Sequence, residues 1–95
     1  MGGLIYQVDV LPKAKEHILA YKKAGNKIAI ERINRILEEL KSHPETGIGH
    51  PEKLKNDKYE RWSRHIDQKN RMTYQIKKTE IIVLIISAMG HYDDK

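Results

Sequence analysis

The longest run of apolar residues in the chain, IIVLII at residues 81–86, predicts a buried strand near the C-terminus. The run is far too short for a membrane span, which needs about 20 residues. It is also too short and too β-branched for a helix of ordinary length. An antiparallel sheet that is covered on one side would show alternation instead of a continuous run. The second face of this strand must therefore be protected, either because the sheet curls over itself or because a partner polypeptide lies there.

Two amphipathic helices are predicted in the first half of the chain. The first has apolar residues at helical spacing from Lys13, follows Pro12 and ends at Gly25. Asn26 can cap the second helix, which ends before Pro44 because a residue before proline is pushed out of the helical region. The apolar positions of this second helix repeat every three or four residues: Ile30, Ile33, Ile36, Leu37 and Leu40. The short turn makes the pair an antiparallel hairpin that covers one face of a sheet.

The remaining segments read as strands and one long loop. Residues 4–10 favour an extended N-terminal strand, and residues 44–57, with two glycines and two prolines, predict an irregular loop. Residues 59–66, 71–77 and 81–87 are strand-like runs at hairpin spacing, which predicts an antiparallel meander. The expected fold is α+β: an N-terminal strand, an antiparallel helical hairpin packed on one face of a mainly antiparallel sheet, and a C-terminal three-strand meander.

Composition limits the classes of function. The 95 residues fit one domain, residues 1–95, and 18 Lys and Arg against 13 Asp and Glu give a net charge of +5. This bias attracts polyanions or an acidic protein, although a solvated basic surface would explain it too. The lack of cysteine excludes a disulfide scaffold, a cysteine-ligated metal and a catalytic thiol. Neither a signal peptide nor a membrane span is visible, so a cytoplasmic protein without membrane contact is expected.

Side chains suited to phosphodiester cleavage occur in the loop and at the strand ends. They are Glu52, Lys55, Arg64, His65, Arg71, His91 and Tyr92. In RNA the attacking group can be the substrate's own 2′-hydroxyl, so the protein need only remove a proton, neutralise charge on the phosphorane and protonate the leaving 5′-oxygen. A carboxylate can do the first, Arg and Lys the second, and an imidazolium the third. The histidine spacing is not that of a zinc site, so no metal and no cofactor are expected.

Four short motifs occur in a fixed order along the chain. They are GHPEKLK at residues 49–55, WSRHI at 62–66, NRMTY at 70–74 and HY at 91–92. Together they resemble the YoeB/Txe family of toxins within the RelE superfamily, and the resemblance covers residues 5–92. It implies a RelE-like fold and a ribosome-dependent mRNA endonuclease. It also implies an acidic antitoxin of the YefM/Axe type, encoded with the toxin, that neutralises it.

The resemblance assigns roles residue by residue. Glu52 matches the family's general base, Arg71 its transition-state arginine and His91 its general acid. Tyr92 matches the terminal tyrosine that helps to hold the substrate. Lys55 matches a basic residue of the same site, which implies contact with RNA.

The chain departs from the family pattern at three places. Arg64 matches the first of two family arginines after Trp-Ser, but the second is replaced by His65. The family's proline after the glutamate is Lys53 here, and the Cys-Arg-aromatic stretch before His-Tyr is Ala-Met-Gly at residues 88–90. The resemblance still implies RNA-binding roles for Arg64 and His65. The departures can weaken contact with RNA or the ribosome, while the acid, the base and the charge stabiliser remain.

Three functions stay open on the sequence. The favoured one is a toxin that cuts mRNA in the ribosomal A site. The second is a catalytically weakened RelE-like module that binds ribosome, RNA or antitoxin without cleavage, and the third is a basic domain with a solvated surface. Expected partners are the acidic antitoxin, mRNA and rRNA, and the expected assembly is a homodimer or a hetero-oligomer with the antitoxin. Asp93 and Asp94, which follow His91 by two and three residues, are expected to favour its imidazolium form.

Overall fold

Five strands and two helices make up the computed structural model, which describes residues 3–90. In chain order they are β1 (Gln7–Val10), α1 (Pro12–Lys23), α2 (Lys27–Leu40), β2 (Glu52–Lys53), β3 (Arg61–His65), β4 (Arg71–Lys77) and β5 (Ile82–Ser87). The predictions made for His91, Tyr92, Asp93 and Asp94 lie outside the described residues. No helix within the described part of the chain is long and apolar enough to cross a membrane.

The strands form one mixed sheet in the order β1-β5-β4-β3-β2. β1 pairs with β5 in parallel, and the other three pairings are antiparallel. The α+β fold and the C-terminal meander are therefore confirmed. The first meander strand, Arg61–His65, is shorter than the predicted 59–66. The predicted irregular loop is also wrong in one respect, because Glu52–Lys53 pairs with β3 and extends the sheet by a short edge strand.

Local signals at the helix ends are confirmed. The side-chain oxygen of Asn26 accepts a hydrogen bond from the backbone N–H of Ala29 at 3.1 Å, which caps α2. Gly25 has a φ of +71°, the left-handed conformation that ends α1 at low steric cost. The apolar stripe of α2 lies against the sheet, with Ala29, Ile33, Ile36 and Leu40 buried. The hairpin therefore covers one face of the sheet, as the helical periodicity predicted.

The two faces of β5 have different surroundings. Val83 and Ile85 are fully buried in the core beneath the helices, whereas Ile82 and Leu84 point to the opposite face and are half-buried. We call this opposite side of the sheet the open face. Residues that lie on it by strand register include Asp9, Glu52, Arg61, Ser63, His65, Arg71, Thr73, Gln75 and Leu84. The prediction of a central strand is confirmed, since β5 lies between β1 and β4.

Helix α1 is joined to the end of the last strand by Tyr21. Its hydroxyl donates a hydrogen bond to the carbonyl oxygen of Ala88 at 2.8 Å, and the residue is only 5% exposed. Burial, assisted by the negative charge of Asp67, raises the pKa of Tyr21 to about 12 from the ordinary 10.0. An ionised phenolate could not donate this bond, so the folded state favours the protonated form.

Tyr21→Phe is expected to lower the free energy of unfolding by about 1–2 kcal/mol at neutral pH, because the Ala88 carbonyl loses its donor. Between pH 10 and 12 the unfolded chain releases the Tyr21 proton while the folded chain keeps it, so wild-type stability falls as pH rises. The loss of free energy of unfolding that comes from Tyr21 should reach about 2 kcal/mol by pH 12, and it should be absent in the Tyr21→Phe variant. Urea unfolding at several pH values checks both effects. An equal alkaline loss in both proteins would contradict the assignment.

Candidate active site

A row of polar side chains crosses the open face. The strand register places Glu52 opposite Ser63, Ser63 opposite Thr73 and Thr73 opposite Ser87. The adjacent row pairs His65 with Arg71. Glu52 on β2 and Arg71 on β4 are therefore separated by one strand, which corresponds to roughly 10 Å between strand axes. Two long side chains at that spacing can reach opposite sides of one phosphodiester group.

The last described residue, Gly90, is held beside Arg71. The backbone N–H of Arg71 donates to the carbonyl of Gly90 at 2.9 Å, and the N–H of Gly90 donates to the side-chain oxygen of Asn70 at 3.0 Å. Asn70 is itself fixed, because its backbone and side-chain N–H groups both donate to Asp67. The next residue in sequence is His91, which lies outside the described residues.

Helix α1 fixes the backbone two residues before that point. The N–H of Ala88 donates to Nδ1 of His17 at 3.0 Å, and its carbonyl accepts from Tyr21. The sequence departs from the family pattern at residues 88–90, yet both ends of this segment are bound to other elements. Sequence reasoning gave no role to His17, because a histidine on a helix carries no signal of a partner 71 positions away in the chain.

Arg64 lies on β3, the first strand of the meander. It was expected to contact RNA, but its side chain points toward the helices and is 0% exposed. All three guanidinium nitrogens donate to protein oxygens at 2.7–3.3 Å. The acceptors are the Tyr74 hydroxyl, the Glu39 carboxylate and the carbonyls of His43, Thr46 and Ile48. No donor is left for a phosphate, so Arg64 organises the loop that precedes β2.

His65 lies on the open face close to His50, a histidine to which the sequence alone assigned no role. Its ring centroid is 6.3 Å from that of His50, with the two planes tilted by 42°. The backbone N–H of His65 donates to the carbonyl of Gly49 at 2.6 Å, which fixes the loop against β3. Gly49 has a φ of +81°, and a Cβ there would lie 2.8 Å from the His65 carbonyl oxygen. Only glycine allows this close approach.

Lys55 is exposed in the turn that follows β2. The side chains of this turn surround a shallow depression of about 530 Å³, lined by Lys53, Leu54, Lys55, Asn56, Asp57 and Lys58. Leu54 is buried and its backbone N–H donates to the carbonyl of Arg61 at 3.0 Å, so the turn is anchored to the sheet. Lys55 therefore adds positive charge beyond the row that contains Glu52. Within residues 3–90, no group of three metal-ligating side chains could hold a metal ion.

The arrangement of strands and helices matches a known fold. The chain superposes on the RelE–RelB complex structure from Pyrococcus horikoshii with a TM-score of 0.73, covering 92% of this chain and 96% of that chain. The identity is 13%, so this similarity shows the fold alone. The molecule therefore has the RelE-like α+β fold that the motifs implied.

The family follows from closer matches. The model of the YoeB-like toxins of bacterial type II toxin–antitoxin systems matches residues 12–92, and the chain belongs to this family. Toxin YoeB of Mycobacterium bovis is 37% identical over 85 residues, which is 90% of this chain and 96% of that protein. The heterotetrameric YoeB–YefM complex from Staphylococcus aureus contains a chain with 27% identity and a TM-score of 0.75, covering 92% of this chain and 98% of that one. The protein is thus the toxin of a type II toxin–antitoxin system.

Proposed function

We propose that this toxin is a metal-independent endoribonuclease that cuts mRNA in the A site of the ribosome. One observation carries the proposal: Glu52 and Arg71 lie on the same open face, and Gly90, which precedes His91, is bonded to the backbone of Arg71. A base, a fixed positive charge and the segment that leads to an acid thus converge on one end of the sheet.

The chemistry needs three groups. The Glu52 carboxylate takes the proton from the 2′-hydroxyl, whose oxygen then attacks the adjacent phosphorus. Arg71 neutralises the charge that builds on the phosphorane oxygens, which lowers the barrier most where water is excluded. His91 gives a proton to the leaving 5′-oxygen, and Tyr92 holds the substrate. The products are a 2′,3′-cyclic phosphate, or the 3′-phosphate formed by its hydrolysis, and a free 5′-hydroxyl.

Substrate contact falls to the basic side chains that solvent can reach, exposed Lys55 and partly exposed His65. Lys55 and His65 bind the RNA, while buried Arg64 acts as a positioning residue that fixes the loop before β2. The net charge of +5 supports contact with the phosphates of mRNA and rRNA. Work on the ribosome requires a cytoplasmic protein.

The partner in the resting cell is an acidic antitoxin. The Staphylococcus aureus relative is found in a heterotetrameric complex with YefM, which supports a hetero-oligomer of the same kind here, with a homodimer as the other arrangement. Half-buried Ile82 and Leu84 on the open face give a disordered antitoxin segment an apolar surface on which to fold. Its acidic residues would meet the basic site and occupy the place of RNA.

A reconstituted bacterial translation system with a defined mRNA tests the reaction. The toxin should generate new mRNA 3′ ends at the A-site codon, carrying a cyclic or 3′-phosphate, and only when ribosomes are present. A matched mRNA with one 2′-deoxynucleotide at the mapped position should remain intact there, since it lacks the attacking oxygen. Intact mRNA with the wild-type protein, or cleavage of the 2′-deoxy substrate, would contradict the proposal.

A binding module without cleavage is the second candidate. The observation that favours it is the loss of two cationic positions, one at His65 and one within residues 88–90. It predicts a protein that binds ribosomes in a salt-sensitive way because phosphate contacts release counterions, yet produces no new 3′ ends. The same translation assay, read by primer extension and by ribosome pelleting at two salt concentrations, separates the two functions.

A further inference from the structure

Two imidazoles lie close together at the edge of the candidate active site. His50 comes from the loop before β2 and His65 from the end of β3, and their ring centroids are 6.3 Å apart. The hydrogen bond from the His65 N–H to the Gly49 carbonyl fixes the two backbones relative to each other. His50 also has a φ of +55°, a conformation that non-glycine residues adopt rarely and that collects at functional sites. The pair is therefore held by the backbone around it.

The charged groups around the pair favour an anion. Arg71 lies opposite His65 on β4, and Glu52 follows His50 by two residues on β2. In the turn after β3, the Asp67 carboxylate accepts hydrogen bonds from Asn70 and from the Lys69 N–H. Asp67 is thus engaged within its own turn, and Lys69 is exposed beside it. Protonation of both histidines would bring three cationic groups together, His65 and Arg71 on neighbouring strands and His50 in the loop beside them, and a phosphate can compensate this charge.

We propose that His50 and His65 form a protonation-dependent binding site for an RNA phosphate beside the scissile bond. The inference rests on the proposed function and adds His50 to the site. Two rings at this separation can each direct an N–H group at one phosphate that lies beside the pair. Each imidazolium has two N–H donors and a positive charge, whereas the neutral ring has one N–H donor and no charge. Binding of the phosphate is coupled to proton uptake, because the anion stabilises the charged form of both rings.

This site makes RNA affinity depend on pH in the range where histidine titrates. An arginine at residue 65 would stay charged throughout that range and would bind phosphate equally well on both sides of neutrality. A pair that only packs ring against ring would gain nothing from acidification. A phosphate-binding pair and a pair that only packs therefore differ in how RNA affinity changes with pH.

The test measures binding to a fluorescein-labelled RNA of about ten nucleotides with 2′-O-methyl groups throughout, which 2′-hydroxyl attack cannot cut. Fluorescence anisotropy at constant ionic strength gives the Kd at pH 5.5 and at pH 8.0, which lie on either side of the range where histidine titrates. The wild-type protein should bind roughly tenfold more tightly at the lower pH. His50→Gln and His65→Gln should each remove roughly two- to fivefold of that gain. His65→Arg should bind tightly at pH 8.0 and show a smaller pH dependence.

His43→Gln is the matched control. His43 is also exposed and lies in the same loop, and its hydrogen bonds are made by its backbone: the carbonyl accepts from Arg64 and the N–H donates to the carbonyl of Glu39. Its pH profile should equal that of the wild type. Because His91 is present in every variant, differences between variants report on the pair alone. Thermal unfolding of each variant at both pH values shows whether the protein remains folded.

The salt dependence supplies a second readout. For one phosphate contact, the slope of log Kd against log salt should be steeper at pH 5.5 than at pH 8.0 by about 0.7, and the double Gln variant should lose this difference. An unchanged pH gain in the double Gln variant would overturn the proposal, even if the toxin cuts mRNA. A pH gain carried by the pair in a toxin that leaves mRNA intact would instead contradict the proposed function and leave this site standing.

Discussion

Arg64→Met is expected to lower the free energy of unfolding by about 3–5 kcal/mol at neutral pH, a large fraction of the 5–15 kcal/mol of a typical domain. Methionine fills part of the volume but leaves the carbonyls of His43 and Thr46 without the guanidinium donor, and it leaves the carboxylate of Glu39 with only the Ile48 N–H. Partly buried acceptors that lose a charged donor are costly because water replaces it only in part. Equilibrium urea unfolding followed by tryptophan fluorescence measures the change.

Two companion variants make this result specific. Arg64→Lys keeps the charge but cannot reach all the acceptors of the planar guanidinium, so it should recover only part of the loss. Arg35→Met removes an exposed arginine from α2 near the same glutamate, and its effect should stay within about 0.5 kcal/mol. A fully stable Arg64→Met protein would show that the network is dispensable and reopen the substrate-binding role.

The hydrogen bonds between Arg64 and Glu39 also predict how stability falls at low pH. Partial burial opposes ionisation of Glu39, but hydrogen bonds from the Ile48 N–H and from Arg64, with the guanidinium charge, outweigh it and lower the pKa below 4.5. A depressed pKa contributes stability above the unfolded value, and that contribution is lost as pH falls through the folded value. Glu39→Gln should therefore be less stable at pH 7 and lose less stability below pH 4.5 than the wild type. Asp57 and Asp67 also have lowered pKa values, so part of the acid loss remains.

Elements defined by local chemistry were predictable from the sequence. The periodic stripe of α2 and its Asn26 cap depend on residues within a few positions of one another, and both are confirmed. The apolar run of β5 predicted a central strand, since such a run cannot remain at an edge. These signals are strong because each requires only one segment of the chain to be read correctly.

Features that depend on distant partners were not predictable. Glu52–Lys53 forms only two ladder positions, too few to leave a pattern, and exists because β3 lies beside it. Arg64 follows Ser63 in a strand, and nothing local shows that Glu39, 25 residues earlier, and three loop carbonyls converge on it. The His50–His65 contact likewise appears only when the loop closes on the strand. The resemblance to the family supplied roles for residues but could not supply these contacts.

Glu52→Gln is expected to lower the rate of mRNA cleavage on the ribosome by about 10²–10⁴-fold, the range for loss of a general base. The amide keeps the shape and the strand pairing but cannot accept the 2′-hydroxyl proton. Arg71→Ala should cost about 10²–10³-fold because the phosphorane charge loses its partner. Single-turnover measurement of 3′-end formation with saturating toxin checks both rates.

Measurements of stability separate the loss of activity in Glu52→Gln from the effects expected for Arg64→Met. Glu52 is exposed on the short edge strand, so the free energy of unfolding of Glu52→Gln should lie within about 0.5 kcal/mol of the wild-type value. Glu16→Gln, which removes an exposed carboxylate from α1, is the matched control and should keep full activity. Arg64→Met should lose stability as well as activity, whereas Glu52→Gln should be folded and inactive. If Glu52→Gln cuts within threefold of the wild type, a factor worth less than about 1 kcal/mol of barrier, another group removes the proton.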